Sequence, residues 1–245
     1  MSASAPSFDF RLIDTPAGSL PCIIRGSPAD TPLLIIPPLF EEMNRTRALL
    51  AGVGRRLAER GIASWLPDLP GTGDSELPFA EASWDAWQQS LELLAQKISA
   101  THGKEVHIFT IRGGALLGES IPARSRYWLS PVAGERLLRE LLRARMAADQ
   151  ERGTPTSTAA LEAQLATQPV ELAGYPVSLA LAAALRAAAL PEVAPVRRAV
   201  VGSGDGDISL DGPPLWRHAE PAAAPALAEA LADDIAAWIA RCAGR

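Results

Sequence analysis

Four short, almost wholly apolar runs alternate with helical patterns through the middle of this chain, and that alternation constrains the fold most. The runs occupy residues 33–36, 62–66, 106–110 and 127–129. Such short runs without a polar side suit strands buried on both faces of a parallel sheet. Between the first two, residues 45–60 place Leu49, Leu50, Val53 and Leu57 on one helical face, and Gly61 is a stop signal. Between the next two, Ser83 is a helix cap, and Trp84, Trp87, Leu91, Leu94 and Ile98 follow at helical spacing before Gly103. A β-α-β-α-β-α-β order calls for a mainly parallel sheet with helices on both faces.

The flanking segments extend that sheet. Residues 8–13 and 20–25 read as strands joined across Pro16-Ala17-Gly18, a plausible hairpin turn. After the central alternation come a helix over 135–148, a loop with a short helix over 154–169, and an Ala-rich helix over 176–190. The last two are expected to form a small helical cap. A strand over 196–201 leads into a Gly/Asp-rich loop over 202–212. A final helix over 225–241 buries Leu227, Leu231, Ile235, Trp238 and Ile239. No internal repeat is visible. With 245 residues, 48% of them apolar, the chain is expected to form one domain over 1–245 with a cap insertion at about 150–190.

Composition excludes several function classes. A net charge of −5 argues against a general nucleic-acid binder. Two cysteines, Cys22 and Cys242, exclude a disulfide scaffold and a multi-Cys zinc site. Asp205, Asp207 and Asp211 lack the spacing and terminal Glu of an EF-hand, so no metal and no cofactor is expected. The start MSASAPSFDF has no basic or apolar leader region, and the Ala-rich stretch 177–190 carries Arg186 and is too short to span a bilayer. A cytoplasmic protein without a membrane span is expected. Only His102, His107 and His218 could supply a histidine base.

In open α/β sheets ligands bind beyond the carboxyl ends of the strands. Three loops fall there: 37–44 (PPLFEEMN), 68–75 (DLPGTGDS) and 110–114 (TIRGG). The third has the layout of a nucleophile elbow, a sharp strand-to-helix turn flanked by small residues, Thr110 and Gly114. Its apex is Arg112. A guanidinium stays protonated and has no lone pair for attack, so Arg112 cannot form an acyl-enzyme. It can hold an anion beside outward-facing backbone N–H groups. Glu41 and Glu42 follow the first buried run, and either one is expected to pair with Arg112.

These features resemble the α/β-hydrolase superfamily. More narrowly, residues 37–47 (PPLFEEMNRTR), 68–75 and 170–179 (VELAGYPVSL) resemble the second type of exosortase A system-associated hydrolases, bacterial proteins encoded beside exopolysaccharide and protein-sorting machinery. The resemblance spans roughly residues 30–190. It implies an ester or acyl hydrolase, with a possible protein partner from that machinery. Its elbow lacks serine as well, and fold alone does not establish function. The resemblance also implies that Leu39, Phe40, Glu41, Glu42, Asn44 and Gly113 border a ligand site with Arg112.

The same resemblance places an acid at Asp205 or Asp207 and a base at His218, with Arg112 completing the set of candidate catalytic residues. Only about two dozen residues separate Pro191 from the Leu215-Trp216 element, too few for a full strand–helix–strand unit, so one crossover helix is expected to be missing. His102 and His107 read as structural, and Asp68 and Asp74 as parts of a tight loop. Two functions follow. One is a hydrolase using Ser75, Ser120, Ser130 or an activated water. The other is a hydrolase-like pseudoenzyme that binds a small anionic ligand or a protein partner through Arg112.

Overall fold

The structure, a computed structural model, describes residues 8–218 and 220–243. Residues 1–7, read above as lacking leader composition, lie outside the described residues. The element order begins β1 (Phe8–Thr15), β2 (Gly18–Arg25), β3 (Thr31–Ile36), α1 (Glu41–Glu59), β4 (Ile62–Pro67), α2 (Trp84–His102) and β5 (His107–Ile111). It continues with β6 (Ser125–Leu129), α3 (Gly134–Glu151), α4 (Thr158–Leu165), β7 (Val170–Leu172), β8 (Tyr175–Val177) and α5 (Leu179–Ala187). It closes with β9 (Val196–Val201), β10 (Ile208–Leu210) and α6 (Pro225–Ala243).

Eight strands form one sheet in the order β1-β2-β4-β3-β5-β6-β9-β10. β1 and β2 form an antiparallel hairpin, β2 runs antiparallel to β4, and every other neighbouring pair is parallel. β5 and β6 are buried along their whole length, which explains their unbroken apolar character. Two apolar cores lie on opposite faces. One packs α2, α3, α5 and the β7–β8 hairpin against the sheet. The other packs α1 and α6 through Leu49, Leu50, Val53, Leu231 and Ile235. The fold is α/β, a mainly parallel sheet with helices on both faces and a shortened C-terminal part, as the sequence pattern predicts.

Several local expectations need correction. The helix after β3 begins at Glu41 rather than 45, so the loop after β3 is shorter than residues 37–44. The segment read as loop and Ala-rich helix contains the two-stranded β7–β8 ladder, closed by Ala173 and Gly174 at positive φ. Pro176 thus belongs to a strand rather than to α5. Within the Gly/Asp loop, Ile208–Leu210 form β10 and pair in parallel with Ala199–Val201. The chain returns from β9 to β10 through residues 202–207 without a helix. That short return is where the expected crossover is absent. No described helix is long and apolar enough to cross a membrane.

Candidate functional site

At the end of β5 the backbone turns sharply, and Arg112 sits at φ 53. A left-handed backbone is costly for a side chain with a Cβ and persists only when its surroundings impose it. The constraint is visible at Gly114, where an added Cβ would lie 2.5 Å from the Pro37 carbonyl oxygen and 2.8 Å from that of Ile36. The elbow helix therefore lies against the end of β3, as the small residue after the apex predicts. Thr110 is buried, and its hydroxyl has no partner among the described residues.

The Arg112 guanidinium is buried, with 8% of its side chain exposed. Its Nε donates to Glu42 Oε1 at 3.1 Å and Oε2 at 3.3 Å, and its Nη2 donates to Glu42 Oε1 at 3.0 Å. The same Nη2 donates to Glu140 Oε2 at 2.6 Å, and Glu140 Oε1 accepts from Arg136 Nε at 3.1 Å. Charge alternates along Glu42, Arg112, Glu140 and Arg136. Burial pushes the Glu42 carboxyl above its usual range, and the Arg112 charge and hydrogen bonds oppose that shift. The Trp216 ring faces the guanidinium, with its centroid 5.5 Å from Cζ. Glu140 and Trp216 lie far along the chain from the elbow, and no local motif marks either one.

Of the two acids expected to pair with Arg112, Glu42 does so and Glu41 does not. Glu41 lies 3.7 Å from Arg45 Nε and accepts from Asn44 Nδ2 at 3.1 Å. Being adjacent in the first turn of a helix, the two carboxylates diverge. Leu39 and Phe40 are buried, and with Glu42, Glu140 and Trp216 they line a small cavity of about 120 Å³. Phe40 sits at φ 57, at the start of α1. Gly113 is buried in the elbow turn.

A larger cavity of about 550 Å³ opens beside Arg112 at the carboxyl ends of β6 and β9. Arg136, Arg198 and Arg217 also line it, together with Ser130, the loop from Gly202 to Asp205, and Trp216. Arg198 and Arg217 have no carboxylate partner among the described residues, and the Arg198 guanidinium lies 5.3 Å from the Trp128 ring centroid. The amide N–H groups of Ser203, Gly204 and Asp205 likewise have no acceptor among the described residues. Asp205 is the acid lining this cavity.

The expected acid–base set does not assemble. His218 is exposed, and its imidazole has no partner among the described residues. The Asp207 carboxylate accepts the Arg198 backbone N–H at 2.7 Å, closing the β9–β10 return. The loop after β10 contributes Trp216 to the elbow. Ser75 Oγ accepts the N–H groups of Gly71 and Leu77, and Ser120 is exposed. Ser130 lines the cavity at φ 46, with its Oγ accepting the Val201 N–H at 3.2 Å. Asp68 is held by Arg47 Nη2 at 2.6 Å and accepts the Asp74 N–H, so the 68–75 loop is braced internally.

No family model and no curated protein matches the chain by sequence. Solved structures do match. The chain is similar to Est1E from Butyrivibrio proteoclasticus, solved with bound ferulic acid, at 12% identity and a TM-score of 0.66. That match covers 96% of this chain and 100% of the other. It is also similar to a thioesterase domain from the curacin biosynthetic pathway, at 14% identity and a TM-score of 0.55, over 96% and 99% of the two chains. A hypothetical protein of Pseudomonas aeruginosa, PA2218, matches at 12% identity and a TM-score of 0.54, over 81% and 78%. The chain has the α/β-hydrolase fold.

Proposed function

We propose that this chain is a hydrolase-fold binding protein, in which the elbow no longer presents a nucleophile and the neighbouring arginine-lined cavity holds a small anionic ligand. The observation carrying this reading is Arg112 at the apex, clamped by Glu42 and Glu140. With both carboxylates in place, Arg112 is charge-balanced. It shapes the cavity wall, and Arg198 and Arg217 supply the uncompensated positive charge. Free amide N–H groups over 203–205 add donors suited to carboxylate, sulfate or phosphoryl oxygens. We read the whole chain as one domain, with residues 150–190 capping the sheet. The resemblance to exosortase-associated proteins supports a bacterial, cytoplasmic setting beside polysaccharide or protein-sorting machinery, and a protein partner from it.

Two measurements test this. Titration calorimetry with inorganic phosphate and sulfate is expected to show binding that Arg198→Ala and Arg217→Ala each weaken at least tenfold. Unchanged affinity in both variants overturns the cavity assignment. Incubation with a fluorophosphonate probe and short-chain p-nitrophenyl esters is expected to give no labelling and no turnover.

A second reading keeps hydrolysis of an ester or thioester. It draws on the esterase and thioesterase neighbours and on Ser130, whose strained backbone borders the cavity. Fluorophosphonate labelling of Ser130 decides in its favour. If the remaining hydrolase machinery is intact, Arg112→Ser gains esterase activity. Continued silence supports the binding role.

A further inference from the structure

Among the described residues β1 is the outermost strand of the sheet, paired on one side only. It is 8 residues long, and among the described residues it exposes three large apolar side chains on one face: Phe8 at 59%, Phe10 at 48% and Leu12 at 56%. Long edge strands usually carry lysine, proline or a bulge, which stop a second strand from adding. β1 has no lysine, proline or bulge, and of its charges Asp9 and Arg11 neutralise each other. Its apolar row continues inward, because Phe10 lies opposite Ile23 and Ile23 lies opposite Leu66. Both inner residues are only partly buried.

The hairpin sets which backbone groups face outward. Its two-residue turn makes Thr15 and Gly18 a hydrogen-bonded pair. Alternation then directs the N–H and C=O groups of Phe8, Phe10 and Leu12 toward the open edge. A two-fold axis relating two antiparallel strands through a hydrogen-bonded pair must pass beside one of these residues. With the axis at Phe10, Phe10 meets Phe10, Phe8 meets Leu12, and Asp9 meets Arg11 of the other copy. Within residues 8–12 each apolar residue finds an apolar one, and each charge finds its opposite. Within one chain Asp9 and Arg11 already lie on a common face, 2.6 Å apart. Shifting the axis to Phe8 or Leu12 loses this match.

We propose that β1 is the contact strand of a symmetric homodimer, formed by antiparallel β1–β1 pairing centred on Phe10 into one continuous sheet. The occupant is a second copy because residues 8–12 are their own complement in both hydrophobicity and charge.

Sedimentation velocity at micromolar concentration is expected to give the mass of two chains. Asp9→Arg alone and Arg11→Asp alone each place like charges opposite one another, and each is expected to sediment as one chain. An equimolar mixture of the two variants restores opposite charges across the axis and is expected to sediment as two chains. Both positions are on the exposed strand, so unchanged circular dichroism confirms folding. A single-chain mass for the unmodified protein overturns the proposal. So does a two-chain mass in either variant alone, or a mixture that stays at one. Independently, Phe10→Cys brings two Cα atoms to about 5.5 Å, within disulfide range, so mild oxidation is expected to give a covalent dimer. Absence of that cross-link also overturns it.

Discussion

A single residue decides what this elbow can do. Arg112 occupies the apex and is held by two carboxylates in a buried setting. Removing one partner of a buried pair leaves the other charge without compensation. Arg112→Met is therefore expected to lower unfolding stability by roughly 3–5 kcal/mol in chemical denaturation. Adding Glu42→Gln should recover most of that loss, since Glu140 keeps Arg136. A loss under 1 kcal/mol would show that the pair does not hold the elbow. His107 makes a second prediction. Its ring is buried, with Nδ1 2.7 Å from Ser125 Oγ, and burial, reinforced by the Arg124 charge, pushes its pKa down to about 4. From the usual value of 6.5 down to about 4, the unfolded chain takes up a proton that the folded chain does not. Stability should fall with pH across that window by roughly 3 kcal/mol, and His107→Gln should flatten the dependence. The Arg112–Glu42 half of the site was legible because both residues sit on recognisable strand-end loops. Glu140 and Trp216 were not, because only the packing of α3 and of the turn after β10 brings them in.

At the scale of elements, close approach governs. α3 begins at Gly134, where an added Cβ would lie 1.8 Å from the Leu185 carbonyl oxygen, against α5. Backbone cannot retreat as a flexible side chain can, so Gly134→Ala should cost roughly 1–3 kcal/mol or more and loosen α5. Thermal unfolding measures the cost, and amide exchange in residues 179–187 reports the loosening. An unchanged melting temperature would show that the α3–α5 contact yields freely. Long elements such as α2 were readable from sequence because Ser83 accepts the Ala86 N–H at one end and Gly103 closes the other. β7, β8 and β10 have three residues each, too few for alternation to register, and the Ala173-Gly174 turn carries no Asn-Gly or Asp-Gly signal.

At the scale of the whole molecule, segments far apart in the chain cover the sheet together. α1 and α6 cover one face, and Arg56 of α1 and Arg60 just after it pair with Glu229 and Asp233 of α6. Glu229 is exposed to solvent, so Glu229→Ala should lower the melting temperature only slightly, and less still in 1 M salt. A large drop that persists in 1 M salt would mean that packing rather than charge holds the helices. The parallel sheet was legible from the apolar alternation. The absent crossover was legible from the short spacing between Pro191 and the Leu215-Trp216 element.

At the far border of the sheet β10 is a stub of three residues, too brief to template a neighbour. Copies that join through their opposite borders have then spent the one that can propagate. Growth halts at a pair, whereas a sheet with two long open borders would string into fibres.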